Sequence, residues 1–336
     1  MSQEQVYTSA PDTSEQGSTP PLNRDLPELS LVVPCYNEEE VLPETTSRLC
    51  KLLQELVAKQ KIAPESRVYY VDDGSTDHTW ALIQSSAAES TYIKGLKLSR
   101  NRGHQYALLA GLHTVPGDAV ISIDADLQDD LNVIEQMVDT YQTGKDIVYG
   151  VRNERTSDSF FKRFTAESYY TLLSKMGVEL VHNHADFRLL SRPALEALKC
   201  YGEVNLFIRG VIPTLGFQSS IVEYTRDKRF AGSSKYPVTK MISLAINGIT
   251  SFSPVPLRMI SALGFFVSFA SLLLIIWALG VRFFDPEAVP GWASSVIPIY
   301  FIGGIQLLSL GIVGEYISKI YSEVKKRPRF IIERSI

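Results

Sequence analysis

Cysteine is scarce in this sequence, with three in 336 residues: Cys35, Cys50 and Cys200. The odd count and scattered spacing exclude a disulfide framework, and the missing C-x-x-C pair removes the usual mark of a structural zinc site. All three read as reduced thiols in a cytoplasmic setting, with Cys35 a bystander to the site beside it. No G-x-G-x-x-G follows the first apolar run, and no G-x-x-x-x-G-K-[ST] occurs anywhere, so two familiar phosphate-cradling loops are missing. Positive charge is not in excess. Against 33 Lys and Arg stand 37 Asp and Glu, a net charge of −4, and no global basic field invites nucleic acid. Residues 1–27 lack the basic start and apolar core of a signal peptide. Rich in Ser, Thr, Pro, Gln and Glu, they read as a disordered tail.

What is present is apolar residue in short, well-spaced runs. Strands by length and β-branching fall at residues 29–34, 68–71, 93–98, 119–123 and 146–150. Between them lie helices at about 40–60, 80–88, 105–113 and 131–141. In the first of these, Leu42, Leu49, Leu52, Leu53, Leu56 and Val57 recur at helical spacing. Strands alternating with helices imply an α/β class with a doubly wound, mostly parallel sheet. In such sheets ligands bind outside the carboxyl ends of the strands.

Acids, not glycines, occupy those ends. Residues 119–123 deliver Asp124 and Asp126 to one strand tip, with the amide Gln128 just beyond. Carboxylate and amide oxygens are hard ligands suited to Mg²⁺ or Mn²⁺, whose shells substrate phosphates commonly complete. An isolated D-x-D is also a common solvated turn, so this motif carries weight only with its neighbours. Those are Pro34-Cys35-Tyr36-Asn37-Glu38 after the first strand and Asp72-Asp73-Gly74-Ser75-Thr76-Asp77 after the second.

Together these three motifs resemble the nucleotide-sugar half of family 2 glycosyltransferases. The closer likeness is to the dolichol-phosphate mannose synthase group, and within it to bacterial polyprenyl-phosphate glycosyltransferases of the GtrB type. The resemblance runs from about residue 29 to 330 and implies a GT-A catalytic domain over 28–235. It implies that Pro34, Tyr36, Glu38, Asp73, Asp124 and Ala125 bind the donor, and that Asp124, Asp126 and Gln128 hold Mg²⁺ or Mn²⁺. Asp73 would accept hydrogen bonds from base or ribose, while Asp72 holds the turn. Asn183-His184-Ala185-Asp186-Phe187-Arg188-Leu189 is similar to the family's (G/A)-D-F-R-L motif. It implies Asp186 as base, or as a group orienting the acceptor, and Arg188 as a counter-charge to phosphate. A phosphate acceptor, with a second pKa of about 6, scarcely needs a base. Phe207-Ile208-Arg209-Gly210 and the segment from Arg226 to Tyr236 resemble further family stretches, and offer Arg209, Arg229, Ser234 and Lys235 to acceptor or donor phosphate. The arginines of Ser99-Arg100-Asn101-Arg102 suit phosphate or a plain basic loop. His182 and His184 read as surface residues.

The last third differs in kind. Residues 236–257 place Val238, Met241, Ile242, Ala245, Ile246, Ile249 and Phe252 on one helical face, as an interface helix would. Residues 259–281 carry no charge over roughly 35 Å of helix, and a second uncharged run spans 288–314. The two make a transmembrane hairpin within 258–318. Arg258 precedes it, and Lys319, Lys325, Lys326, Arg327 and Arg329 follow, which puts both ends, including a basic tail at 319–336, in the cytosol; the resemblance implies that the membrane is a bacterial inner membrane. Gly303, Gly304, Gly311 and Gly314 permit close helix packing, and the resemblance implies a homo-oligomer, a tetramer. The expected reaction is inverting transfer of one sugar from a nucleotide diphosphate to a polyprenyl phosphate, undecaprenyl phosphate foremost. UDP-glucose leads as donor by resemblance; UDP-GlcNAc, GDP-mannose and modified arabinose donors stay open. A processive synthase would carry Q-x-x-R-W, which does not occur, and a non-catalytic scaffold would not need Asp73, Asp124, Asp126 and Gln128 together.

Overall fold

A computed structural model describes residues 24–152, 184–203, 208–225, 255–284 and 292–336. Eight strands are β1 (Leu29–Cys35), β2 (Arg67–Asp72), β3 (Ile93–Leu98), β4 (Ala119–Ser122), β5 (Ile147–Arg152), β6 (His184–Ser191), β7 (Ser219–Tyr224) and β8 (Ile332–Ser335). Their order in one sheet is β7-β5-β6-β4-β1-β2-β3-β8. The helices are α1 (Leu42–Ala58), α2 (Thr79–Glu89), α3 (His104–Thr114), α4 (Val133–Gln142), α5 (Arg192–Lys199), α6 (Ile208–Thr214), α7 (Val255–Phe284) and α8 (Trp292–Val324).

The sheet is buried on both faces because its central strands are apolar throughout: all seven residues of β1 are buried. One face packs against α1, α2 and α4 through Leu49, Leu53, Ile83, Ile134 and Met137. The other packs against α3, α5 and α6 through Leu108, Leu112, Leu195 and Val211. Local signals agree with these elements. Ser191 caps α5, accepting the Ala194 N–H at 3.3 Å, and Pro193 fills its first turn.

β1 pairs in parallel with β2 on one side and β4 on the other, and β2 pairs in parallel with β3. The chain therefore winds away from β1 in both directions, which opens a crevice at the carboxyl ends of β1, β2 and β4. The mostly parallel expectation needs refinement here. Four of the seven pairings are parallel; β6 enters antiparallel between β4 and β5, and β8 runs antiparallel along β3. The sheet is GT-A-like and mixed. Insertion of β6 also brings Arg188 into register with Ser122, directly before the β4 tip.

One expectation for the last third changes. The segment at 319–336 is not a tail: α8 continues to Val324, and β8 joins the sheet. Among the described residues one stretch, Phe301–Val324, is long and apolar enough to cross a membrane, and Val255–Val267 within α7 is apolar but shorter. Residues 1–23 and 226–254, which hold most of the expected tail and interface helix, lie outside the described residues.

Candidate active site

The crevice is floored by three strand tips. At the end of β1, Pro34 and Cys35 are buried; in the turn that follows, Tyr36 is exposed and Glu38 is half-buried. Burial, with the charges of Glu38, Asp72 and Asp77, pushes the Cys35 thiol well up, so it stays protonated and inert. The Glu38 N–H donates to Thr79 Oγ1 at 2.8 Å, and the Asn37 N–H to Ser75 Oγ at 3.0 Å, which fastens the β1 turn to the β2 turn.

After β2, Asp73 accepts the Arg102 N–H at 2.7 Å on one carboxylate oxygen and the Gly103 N–H at 2.8 Å on the other. Asp73 thus grips the loop before α3. Burial pushes its carboxyl up, and those two donors work against the shift. Asp72 is wholly buried, one oxygen accepting the Ser75 N–H at 3.2 Å, as expected of a turn-holding acid. Gly74 sits at φ +68°, and a Cβ there would stand 2.6 Å from the Asn101 nitrogen. Only glycine allows this backbone-on-backbone approach.

At the β4 tip, Asp124 and Asp126 are half-buried. Leu127 takes φ +56°, and the Gln128 N–H donates to Asp126 Oδ1 at 3.2 Å. That left-handed turn keeps Asp126 and Gln128 together. Ala125, expected at the donor, instead packs into the core, its carbonyl accepting Thr45 Oγ1 at 2.8 Å. Burial, with Asp129, Asp186 and Asp126 close by, pushes the Asp124 carboxyl up to about 6, although His104 pulls the other way.

The acceptor-side acid is heavily engaged. Asp186 pairs with the Arg188 guanidinium beside it on β6. It also accepts Arg209 Nε at 3.0 Å on Oδ1 and Arg209 Nη2 at 2.8 Å on Oδ2, a two-pronged clasp from α6. His104 Nε2 lies 3.6 Å from Asp186 Oδ2 and 3.6 Å from Asp124 Oδ1, bridging the two. Burial alone would raise Asp186. Hydrogen bonds from His104 and Arg209, with the charges of Arg188 and Arg209, hold it well below the usual carboxylate range. For His104, burial opposes the charged ring, but Asp186 and Asp124 lift it above its ordinary value.

Residues 30–199 match the family model described as Glycosyl transferase family 2. The chain belongs to this family. It is 49% identical over 314 residues, 93% of each chain, to the uncharacterized glycosyltransferase YkoT of Bacillus subtilis. It is 41% identical over 309 residues, 91% of this chain and 98% of the other, to the SfII prophage-derived bactoprenol glucosyl transferase of Shigella flexneri. Among solved structures it is similar to a glucosyl-3-phosphoglycerate synthase of Mycobacterium tuberculosis in complex with Mn²⁺, UDP-glucose and phosphoglyceric acid. That likeness has 20% identity and a TM-score of 0.44, and covers 66% of this chain and 77% of that one.

In this glycosyltransferase the structure brings Asp124, Asp186 and Arg209 together about His104, with Asp126 close to Asp124 and Asp73 holding the loop that leads to His104. Arg188 departs from expectation: its side chain is wholly buried beneath Asp186, so it meets that carboxylate rather than a ligand. Arg229, Ser234 and Lys235 lie outside the described residues, as does His182. Two features escaped the sequence reading. His104 lies in no motif that marks it, and Arg209, offered to phosphate by resemblance, gives no local hint of its clasp on Asp186. Both contacts join segments far apart in sequence, so only the strand order could have revealed them.

Proposed function

We propose that this glycosyltransferase moves one glucose from UDP-glucose to undecaprenyl phosphate, with inversion, in a reaction that needs a divalent cation, at the cytoplasmic face of a bacterial membrane. Relatives named bactoprenol glucosyl transferase align over 91% of this chain, which supports glucose and a polyprenyl acceptor. The observation that carries the donor half is the crowding of acids at the β4 tip, where Asp124 and Asp126 follow one another across the turn and His104 Nε2 lies 3.6 Å from both Asp124 and Asp186.

That crowding fits a cation. Among the described residues no three His, Cys, Asp or Glu side chains converge into a complete metal cage. Mg²⁺ and Mn²⁺ are commonly held by only one or two carboxylates, with substrate phosphates finishing the shell. Asp124, Asp126 and Gln128 would hold it, and it would supply neutralising charge to the departing diphosphate.

The chain's own groups do the rest. Tyr36 and Glu38 line the nucleotide pocket, and Asp73 fixes its rim. An acceptor phosphate oxygen attacks the anomeric carbon from the face opposite the leaving group; the C–O bond to the β-phosphate breaks, and UDP departs with the electron pair. The acceptor is already ionised near neutral pH, since its second pKa is about 6, so no base is required. Asp186 acts as an anchor that sets Arg209 and Arg188 in place. Arg209, half-exposed, presents positive charge toward the acceptor side, and family resemblance assigns Arg229, Ser234 and Lys235 to phosphate as well.

The membrane half rests on exposed apolar helices. Phe265, Leu307 and Leu310 are 77%, 73% and 68% exposed, which water does not favour. α7 and α8 are read as a two-span hairpin with both ends cytosolic. A Cβ at Gly303, Gly304, Gly311 or Gly314 would meet nothing within 4 Å, which leaves that face open to helices of neighbouring copies in a homo-oligomer, a tetramer by family resemblance. The test is calorimetric titration of UDP with and without Mn²⁺. Wild type should bind only with the ion, and Asp126→Ala should lose the ion-dependent part. UDP binding that ignores the ion in both proteins would remove the metal from the proposal.

A further inference from the structure

We propose that β8 is a positioning element for the donor pocket: by closing the β3 edge it fixes the Ser99–His104 loop that Asp73 grips. The proposal rests on reading the crevice as the donor site.

Without β8, β3 would be an open edge strand. β8 covers it in the register Leu96↔Ser335, Lys97↔Arg334 and Leu98↔Ile332, with an irregularity between Lys97 and Leu98. Backbone bonds extend the seam at both ends. The Ile336 N–H donates to the Gly95 carbonyl at 2.9 Å, and the Gly95 N–H returns to the Ile336 carbonyl at 3.2 Å. At the other end the Ser99 N–H donates to the Ile331 carbonyl at 2.9 Å. Side chains lock both faces: Phe330 and Ile332 pack on one core cluster, Ile336 on the other. A Cβ at Gly95 would come within 2.7 Å of Ile83 and 3.1 Å of Ile336, so the sequence keeps this position bare for the Ile336 side chain.

Ser99 is where the seam meets the pocket. Only Arg100 and Asn101 separate it from the Arg102 and Gly103 amides that Asp73 accepts. On its far side the loop backbone is pressed against Gly74, and the next residue, His104, bridges Asp124 and Asp186. The loop is therefore held between the donor turn and the β8 seam. β8 follows α8 after a short connection, so the helix containing Phe301–Val324 is tied to the donor pocket through a few residues.

The experiment uses the full chain with Ile332→Asp/Ile336→Asp, which places charge on the two half-buried anchors that pack on the core. Release of β8 is read from faster hydrogen exchange at the Gly95 and Ser99 amides. The expected result is ~10-fold weaker UDP binding in the presence of Mn²⁺, within the usual range of coupling between sites. Exchange at Arg102 and Gly103 should quicken, and the KM for donor should rise while kcat and the KM for polyprenyl phosphate hold. A peptide of residues 329–336 added in trans should restore all of these by adding a strand to the open edge. Unchanged UDP affinity and protected Arg102 and Gly103 amides in a chain whose β8 is released would overturn the proposal. If that variant fails to fold, full-length Ile332→Ala/Ile336→Ala decides by the same readouts: a smaller rise in the UDP dissociation constant supports, and no change overturns. Should the wild-type chain fail to bind UDP, the donor reading falls, and exchange at Arg102 and Gly103 still decides the role of β8.

Discussion

Asp186 shows how much a single carboxylate is asked to do. It satisfies Arg188 from beneath and Arg209 from α6. Removing one partner of a buried ion pair costs roughly 3–5 kcal/mol, because the other charge stays behind. Asp186→Ala should therefore lower unfolding stability by about that amount in denaturant titrations. A free-standing base would instead lose turnover with stability intact, and that outcome would restore the base role. The pH sense follows from its depressed pKa. The contribution is present above the ordinary carboxylate range and is lost only as pH falls below it, toward the folded value. Asp124 behaves oppositely. Its pKa is raised to about 6, so without metal the folded chain loses stability as pH rises from about 4 to about 6. Protons compete with a cation in that window. The Mn²⁺ concentration for half-maximal UDP binding should rise as pH drops below about 6; a flat profile from pH 5 to 7 would put the ion elsewhere. Asp73, Asp124 and Asp126 were legible in the sequence because strand ends announce them. The Asp186 clasp was not, because a charge–charge contact between distant segments leaves no local pattern.

At the scale of elements, β1 to β5 were readable from runs of buried aliphatic residues. The other strands were hidden for separate physical reasons. β6 carries Asp186 and Arg188 inside a buried strand, and charges there are tolerated only because they pair. In β7 most residues are not buried, so no hydrophobic run marks it. β8, Ile332-Glu333-Arg334-Ser335, is mostly exposed and polar, and reads as a tail until β3 is seen to need a partner. The Asp72-Asp73-Gly74 turn illustrates element-level fit. Gly74→Ala must hold φ +68° against a side-chain penalty of roughly 1–2 kcal/mol and push back the Arg100–Asn101 backbone. Titration with UDP should show weaker binding by a chain that still melts cooperatively; unchanged affinity would mean that the loop and the turn are not tightly coupled.

For the whole molecule, a mixed sheet with an acid-rimmed crevice is joined to two long helices with apolar, exposed surfaces. Burying such surface in hydrocarbon is favoured by about 25 cal/mol per Å². The chain should sediment with membranes and resist high-salt or alkaline extraction, yielding only to detergent. Release by salt would point to electrostatic attachment instead. The most direct test joins crevice and membrane in one assay: purified enzyme in lipid, undecaprenyl phosphate, radiolabelled UDP-glucose and Mn²⁺, followed by extraction of the lipid phase. The proposed reaction should place label in a glucosyl phospholipid that disappears with EDTA, with omission of undecaprenyl phosphate, and in Asp126→Ala. Label that enters the lipid phase despite EDTA, or transfer to water alone, would contradict it.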